Sequence, residues 1–271
     1  MIHNDNRPIG VFDSGIGGLT VVKSITTLLP HESVVYFGDI ARLPYGTKSN
    51  NTIRKFTEQT VKFLIKQNVK ALVIACNTIS AIAKDEVIAL AKDIPVLDVI
   101  SAGSMHANQA TTSHHIGIIA TPATVNSNAY VDKLKALNNA NHIYQKACTL
   151  FVPFIEEGFI KHEALRLIAI EYLNSLMINK IDTLVLGCTH YPIIQDMLQQ
   201  IIDSNTTIID PAKTVAIMLK DILIAKKLQN HSDYRPQHKF FVTEISPNFN
   251  NIGSIFLQDK IKPILVNIDN S

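Results

Sequence analysis

The stretch DTLVLGCTHYP, residues 182–192, runs from an apolar segment through a small residue and a cysteine to a polar turn and a proline. Residues 70–80 read KALVIACNTIS and follow the same order, with Ala75-Cys76-Asn77-Thr78 standing where Gly187-Cys188-Thr189-His190 stand later. Each stretch reads as a short strand that stops at a polar turn and leads into a helical pattern. A strand apolar on both faces suits a parallel sheet covered by helices on two sides. Two such strands ending on the same residue type suggest one structural unit present twice.

Similar short runs lie at 9–12 (IGVF), 34–37 (VVYF), 96–99 (VLDV), 116–120 (IGIIA), 142–145 (HIYQ), 207–210 (TIID) and 239–243 (KFFVT). Helical periodicity fills the intervals, most clearly over 51–67, 80–92, 162–177 and 212–228. Strand alternating with helix predicts the α/β class, with mostly parallel sheets flanked by helices. The repetition extends beyond the cysteines. Ile9-Gly10-Val11-Phe12 returns as Ile116-Gly117-Ile118-Ile119, 107 positions later, while Cys76 and Cys188 lie 112 apart, as do Val96-Leu97-Asp98 and Ile208-Ile209-Asp210. Near-equal offsets in the same order predict two pseudo-symmetric α/β halves of roughly a hundred residues each. The polar segment 229–238 reads as a loop before a last strand and helix. That tail has no counterpart in the other half, so it extends one of the two domains.

Bulk properties bound the function. At 271 residues the chain makes one large or two ordinary domains. Hydrophobic residues at 46% against 18% charged supply a packed core and argue against disorder. The net charge of +2 is scattered rather than striped, which indicates neither a nucleic-acid nor an anionic-membrane surface. The first ten residues, MIHNDNRPIG, are polar and lack a signal-peptide core. No apolar run approaches the ~18–20 residues that span a bilayer. Three cysteines make no disulfide framework. A soluble cytosolic protein with reduced thiols is expected.

In open parallel sheets, ligands bind beyond the C-terminal strand ends, where helices begin. Four predicted strand ends carry compact polar residues: Asp13-Ser14, Cys76-Asn77-Thr78, Thr121, and Cys188-Thr189-His190. If the halves face each other, all four meet in one cleft. A cysteine in the first turn of a helix feels the positive end of the macrodipole, which stabilises its thiolate. Asn77-Thr78 read as cap residues, and Pro192 suits a first helical position. The plain alternative is that each cysteine closes its strand as a small hydrophobe. Cys148, in QKACTLF, lacks the polar turn and reads as structural.

Two similar thiols suit three chemistries. A disulfide switch lacks a C-x-x-C. A metal site on Cys76, Cys188 and His190 has an unsuitable C-x-H spacing and no fourth ligand for structural zinc. An opposed acid–base pair fits best. Racemising an amino acid requires removing the Cα proton from one face and returning a proton to the other, and thiols titrate near enough to working pH to do both.

Other motifs leave choices open. DSGIGGLT, residues 13–20, resembles a dinucleotide fingerprint with Asp39 as its ribose acid, but Thr20 occupies the third glycine position. A tight strand-to-helix turn fits better, and a dinucleotide-binding oxidoreductase is the alternative from another class. Pro44-Tyr45-Gly46 is a turn, either an ordinary connection or a substrate loop. Glu156 and Glu157 precede a glycine that ends a short helix, where glutamates are usually solvated. His190, two residues past Cys188, reads as an acid–base group. His3, His31, His114, His115, His142, His162, His231 and His238 read as surface.

Taken together, DSGIGGLTV, LPYGTKS, ACNT, VPFIEEG and GCTHYP, in this order and spacing, resemble the pyridoxal-phosphate-independent aspartate/glutamate racemase family, and within it the glutamate racemases. The resemblance runs from about Ile9 to about Ala216. It implies two α/β domains, residues 1–98 with 210–271 and residues 99–209, enclosing the substrate. It implies cofactor-independent interconversion of L- and D-glutamate, with no metal, the D-glutamate entering bacterial peptidoglycan, and a possible homodimer. Carried over by motif, Cys76 and Cys188 become the two bases, assisted by Asp13, His190 and Glu156. Substrate contacts fall on Asp13, Ser14, Pro44, Tyr45, Gly46, Asn77, Thr78, Thr121, Thr189 and His190. An aspartate or broader amino-acid racemase shares the core constellation. Ile79 departs from the small residue many members have after ACNT, and the chain beyond Asp210 matches weakly.

Overall fold

The computed structural model describes residues 4–231, 235–245, 249–257 and 260–268. Its strands are β1 (Ile9–Asp13), β2 (Val34–Gly38), β3 (Ala71–Ile74), β4 (Val96–Asp98), β5 (His115–Ala120), β6 (His142–Ala147), β7 (Thr183–Gly187), β8 (Thr207–Ile209), β9 (Lys239–Val242) and β10 (Pro263–Leu265). Its α-helices are α1 (Leu19–Leu28), α2 (Asn50–Lys66), α3 (Asn77–Ile82), α4 (Lys84–Ala91), α5 (Val99–Ala110), α6 (Pro122–Asn126), α7 (Ala129–Leu137), α8 (Phe151–Glu156), α9 (Glu163–Met177), α10 (Gln195–Ile201), α11 (Pro211–Ala225) and α12 (Phe249–Leu257).

The strands form two sheets, ordered β10-β9-β2-β1-β3-β4 and β6-β5-β7-β8, and every pairing is parallel. The segment β2-β1-β3-β4 and the whole second sheet share one order, which is the repeat foreseen from the cysteine motifs. Registers agree as well. Ile9 pairs with Val34 and Ala71, and Ile116 pairs with Ile143 and Thr183. The tail adds β9 and β10 beyond β2, so it extends the first sheet. The central strands β1, β3 and β7 are buried along their whole length, as helices on both faces require.

The chain crosses between sheets through α5 and α11, which pack against each other. Each is capped by an aspartate at or just after the end of a strand. The Asp98 carboxylate accepts from the Ser101 N–H at 2.8 Å, and the Asp210 carboxylate from the Ala212 N–H at 2.9 Å. These caps satisfy donors that a helix start leaves open.

The single helix anticipated over 80–92 is two. Ala83 leaves helical geometry at φ −131° and ψ 16°, separating α3 from α4. There the Arg54 side chain donates to the Ile82 carbonyl at 3.2 Å, taking an acceptor that a continuous helix would use. Ile79 is fully buried in the core between α3 and β3, so its size is absorbed by packing. Among the described residues, no helix is long and apolar enough to cross a membrane. Of the histidines read as surface, His31, His142, His162, His231 and His238 are exposed and His114 and His115 are half-buried, while His3 lies outside the described residues.

Candidate active site

The C-terminal ends of β1, β3, β5, β6 and β7 open onto one cavity of about 410 Å³ between the two sheets. Such a volume suits a small ligand. Its wall takes Ser14, Pro44, Tyr45, Gly46, Cys76, Asn77 and Thr78 from one half, with Thr121, Glu156, Cys188, Thr189 and His190 on the other side. Cys76 and Cys188 are 5% and 6% exposed, and both line this cavity.

Cys76 is the N-cap of α3, and Asn77 and Thr78 are the first two helical residues rather than caps. Their side chains reach across the cleft instead. The Tyr130 hydroxyl donates to Asn77 Oδ1 at 2.8 Å, and the hydroxyls of Thr78 and Thr121 lie 3.0 Å apart. Cys76 Sγ lies 3.4 Å from Ser14 Oγ. Burial, and next the nearby Asp13 carboxylate, push the Cys76 thiol up to about 12, against the Ser14 hydroxyl and the N–H groups of Ile79 and Ser14. The helix start alone therefore does not ionise this thiol: desolvation of a fully enclosed sulfur outweighs it.

Asp13 itself does not line the cavity. It sits behind Cys76, where its Oδ2 accepts from the N–H groups of Gly15 at 3.2 Å and Gly18 at 3.0 Å. Its Oδ1 is buried without a hydrogen-bond partner. An open acceptor this deep has a cost that folding does not recover.

Cys188 has different company. Its Sγ lies 3.7 Å from His190 Nδ1, and His190 Nε2 lies 2.9 Å from Glu156 Oε1. Burial pulls the His190 pKa down, but Cys188 and Glu156 on its two nitrogens win and raise it to about 10. The imidazole is thus held as a cation at neutral pH, a charge complementary to a thiolate at Cys188. Beyond His190 the chain makes a 3-10 turn, Tyr191–Ile194, with Pro192 inside it, and α10 starts only afterwards. The helix-start argument thus does not apply here, and the adjacent imidazolium supplies the positive charge.

The glycine loop after β1 closes the site from the other half. A Cβ on Gly17 would lie 2.4 Å from Thr189 Oγ1 and 2.6 Å from His190 Nδ1. The loop therefore abuts His190 and leaves no space for a pyrophosphate. Asp39 is equally unavailable to a ribose. It is buried, accepts from the hydroxyls of Tyr45 and Thr243, and pairs with Arg42 at 3.4 Å. It anchors the turn bearing Pro44, Tyr45 and Gly46, in which the Leu43–Pro44 peptide is cis. The dinucleotide alternative fails on both counts.

Several lining residues escaped the sequence reading, among them Leu43, Thr47, Pro122 and Cys148. Cys148 faces the cavity just past the end of β6, and burial keeps its thiol well above the ordinary range. Its position at a strand end was the available signal, masked because Thr149-Leu150-Phe151 is not a polar turn. Among the described residues no cluster of three or more His, Cys, Asp or Glu side chains is placed to hold a metal ion.

The family model for Asp/Glu/Hydantoin racemase matches residues 9–219. A glutamate racemase of Neisseria meningitidis serogroup B is 47% identical over 251 residues, covering 93% of each chain. One from Syntrophus aciditrophicus is 45% identical over 251 residues, again 93% of each. The solved structure of glutamate racemase from Francisella tularensis subsp. tularensis SCHU S4, in complex with D-glutamate, is 50% identical with a TM-score of 0.94, over 98% of this chain and 100% of that one.

Proposed function

The chain belongs to the Asp/Glu/hydantoin racemase family, and from that premise we infer that it interconverts L- and D-glutamate by passing protons between Cα and two opposed thiols. The observation that carries this reading is the placement of Cys76 and Cys188 on one small cavity, each at the end of an equivalent strand in a repeated sheet.

The two environments dictate the chemistry. In the L-ready form Cys188 is a thiolate beside the His190 imidazolium, and Cys76 is a thiol. The Cα–H bond of L-glutamate breaks, its proton moves to Cys188 Sγ, and its electron pair spreads into the α-carboxylate. Cys76 then donates its proton to the opposite face, giving the D-enantiomer and leaving a thiolate at Cys76. Reaction in reverse starts from that state. The carbanion needs charge stabilisation, which an enclosed site with preorganised donors from Asn77, Thr78, Thr121 and Thr189 can supply. The two thiols thus meet different neighbours, Cys76 the Asp13 carboxylate and Cys188 the His190 imidazole. Asp13 restrains ionisation of Cys76, and Glu156 maintains the charge on His190.

Residues 1–98 with 210–271 and residues 99–209 are proposed as the two bodies whose separation admits substrate. The D-glutamate formed serves peptidoglycan synthesis in a bacterial cytoplasm on this reading.

The test is solvent isotope incorporation. In D₂O without added cofactor, each glutamate enantiomer should gain deuterium at Cα as it racemises, and aspartate should not. Cys76→Ser and Cys188→Ser should each lower racemisation by several orders of magnitude. Near wild-type turnover by either variant, or dependence on pyridoxal phosphate, refutes the two-thiol reading. Comparable turnover of aspartate moves the assignment to a broader racemase.

A further inference from the structure

We propose that Tyr130 is a positioning residue for the reaction, whose hydroxyl holds the Asn77 side-chain amide with its NH₂ group aimed at the substrate carboxylate. The proposal rests on glutamate racemisation as read above.

Tyr130 lies in the first turn of α7, in the half of the molecule opposite Asn77. It is fully buried, and its hydroxyl donates to Asn77 Oδ1 at 2.8 Å. Asn77 is 3% exposed and lines the cavity. That hydrogen bond occupies its oxygen. Its Nδ2 has no protein partner among the described residues, yet it is not among the fully enclosed unsatisfied atoms. The free donor therefore faces the cavity.

Hydrogen-bond accounting fixes this orientation. An Asn amide can turn over, exchanging its oxygen and nitrogen. Turned over, Nδ2 would donate to the Tyr130 oxygen, and the hydroxyl proton would be left without an acceptor at a fully buried site. A buried donor without a partner is costly, and the carbonyl would then face an anionic ligand. Each effect favours the observed orientation.

The fold makes a dedicated seat for this ring. A Cβ on Gly187, the residue before Cys188, would lie 3.2 Å from Tyr130 Cε2. A Cβ on Gly103, in α5, would lie 3.2 Å from the hydroxyl oxygen. A Cβ at Gly187 would also meet the Ile119 carbonyl at 2.8 Å and Ala120 Cβ at 2.9 Å, so the small residue ahead of Cys188 lets β5 and the Tyr130 ring both approach closely. Through Tyr130, the half that carries Cys188 orients a donor next to Cys76.

A double-mutant cycle tests this, measuring kcat and KM for D-glutamate with wild type, Tyr130→Phe, Asn77→Ala and the double variant. Each single change should lower kcat/KM about tenfold, the effect of one well-made buried hydrogen bond. The double variant should be no worse than Asn77→Ala, because Tyr130 acts only through that amide. Multiplying losses, or unchanged kcat/KM in Tyr130→Phe, overturn the proposal. Should Tyr130→Phe fail to fold, Asn77→Asp decides. It keeps an acceptor for Tyr130 but offers the substrate no donor, so its kcat/KM should be no better than that of Asn77→Ala, and wild-type activity would overturn the idea. Wild-type protein that exchanges no Cα proton would instead refute glutamate racemisation itself.

Discussion

Gly17→Ala should cripple turnover while leaving the fold intact. Gly17 is outside the left-handed region, since Gly158 is the positive-φ glycine of the described chain, so the backbone accepts alanine. What the methyl meets is the opposite half of the molecule. It would stand 2.6 Å from His190 Nδ1, where ordinary contact begins at 3.4 Å, so the ring must retreat by about 0.8 Å. His190 has little room to do so. Its Nε2 sits 2.9 Å from Glu156, its Nδ1 3.7 Å from Cys188, and the Phe256 ring lies edge-on with centroids 5.4 Å apart. Either the imidazole leaves one partner or the halves stay apart. A misplacement near 1 Å at reacting groups costs up to ~10²-fold in rate, or about 2.7 kcal/mol of barrier. The assay is deuterium wash-in at Cα in D₂O, monitored from each enantiomer. Enantiomers have equal free energy in water, so kcat/KM must fall equally in both directions. Thermal unfolding of the variant should stay cooperative and close to wild type. Activity within about threefold of wild type would refute the argument that this contact sets the position of His190.

The charges lead to two further outcomes. Glu156→Gln removes an anionic partner from His190, so the imidazolium loses its proton at lower pH than the present value of about 10; the alkaline limb of the kcat profile should move down with it, and an unmoved limb would show that Glu156 does not maintain that charge. Asp182 accepts from Thr111 Oγ1, Thr112 N–H, Ser113 N–H and further hydroxyls, and although burial opposes it, these donors hold its carboxyl well below the usual range. Its folded pKa is depressed, so its contribution to stability is present above about pH 4 and fades as pH falls toward the folded value. Asp182→Asn should therefore lower Tm most near neutrality, with the gap narrowing in acid; a gap independent of pH would refute the assignment.

Much of the site was legible because strand ends are written locally. An apolar run that stops at Cys76 or Cys188 defines both the strand and the position of the thiol, whatever surrounds it. The repeated offsets announced the shared strand order, and GCTHYP placed His190 near its sulfur through covalent spacing alone. Less legible were features that need two distant segments. At the break at Ala83, Arg54 reaches in from α2 to the Ile82 carbonyl, a contact no periodicity encodes. Asn77 and Thr78 looked like caps because their composition suits caps, yet their partners lie on the opposite half. Cys148 was set aside for its neighbours in sequence, although its strand end delivers it to the same wall.

Local patterning therefore determined the α/β class, the duplication and the two thiols, since strand, turn and helix preferences act over a few residues. Tertiary structure decided how those thiols differ. Cys76 is enclosed with a carboxylate behind it, and Cys188 adjoins an imidazolium held by Glu156, from a segment more than thirty residues away. Ionisation depends on desolvation and on charges within a few ångströms, and neither is set until the two halves meet.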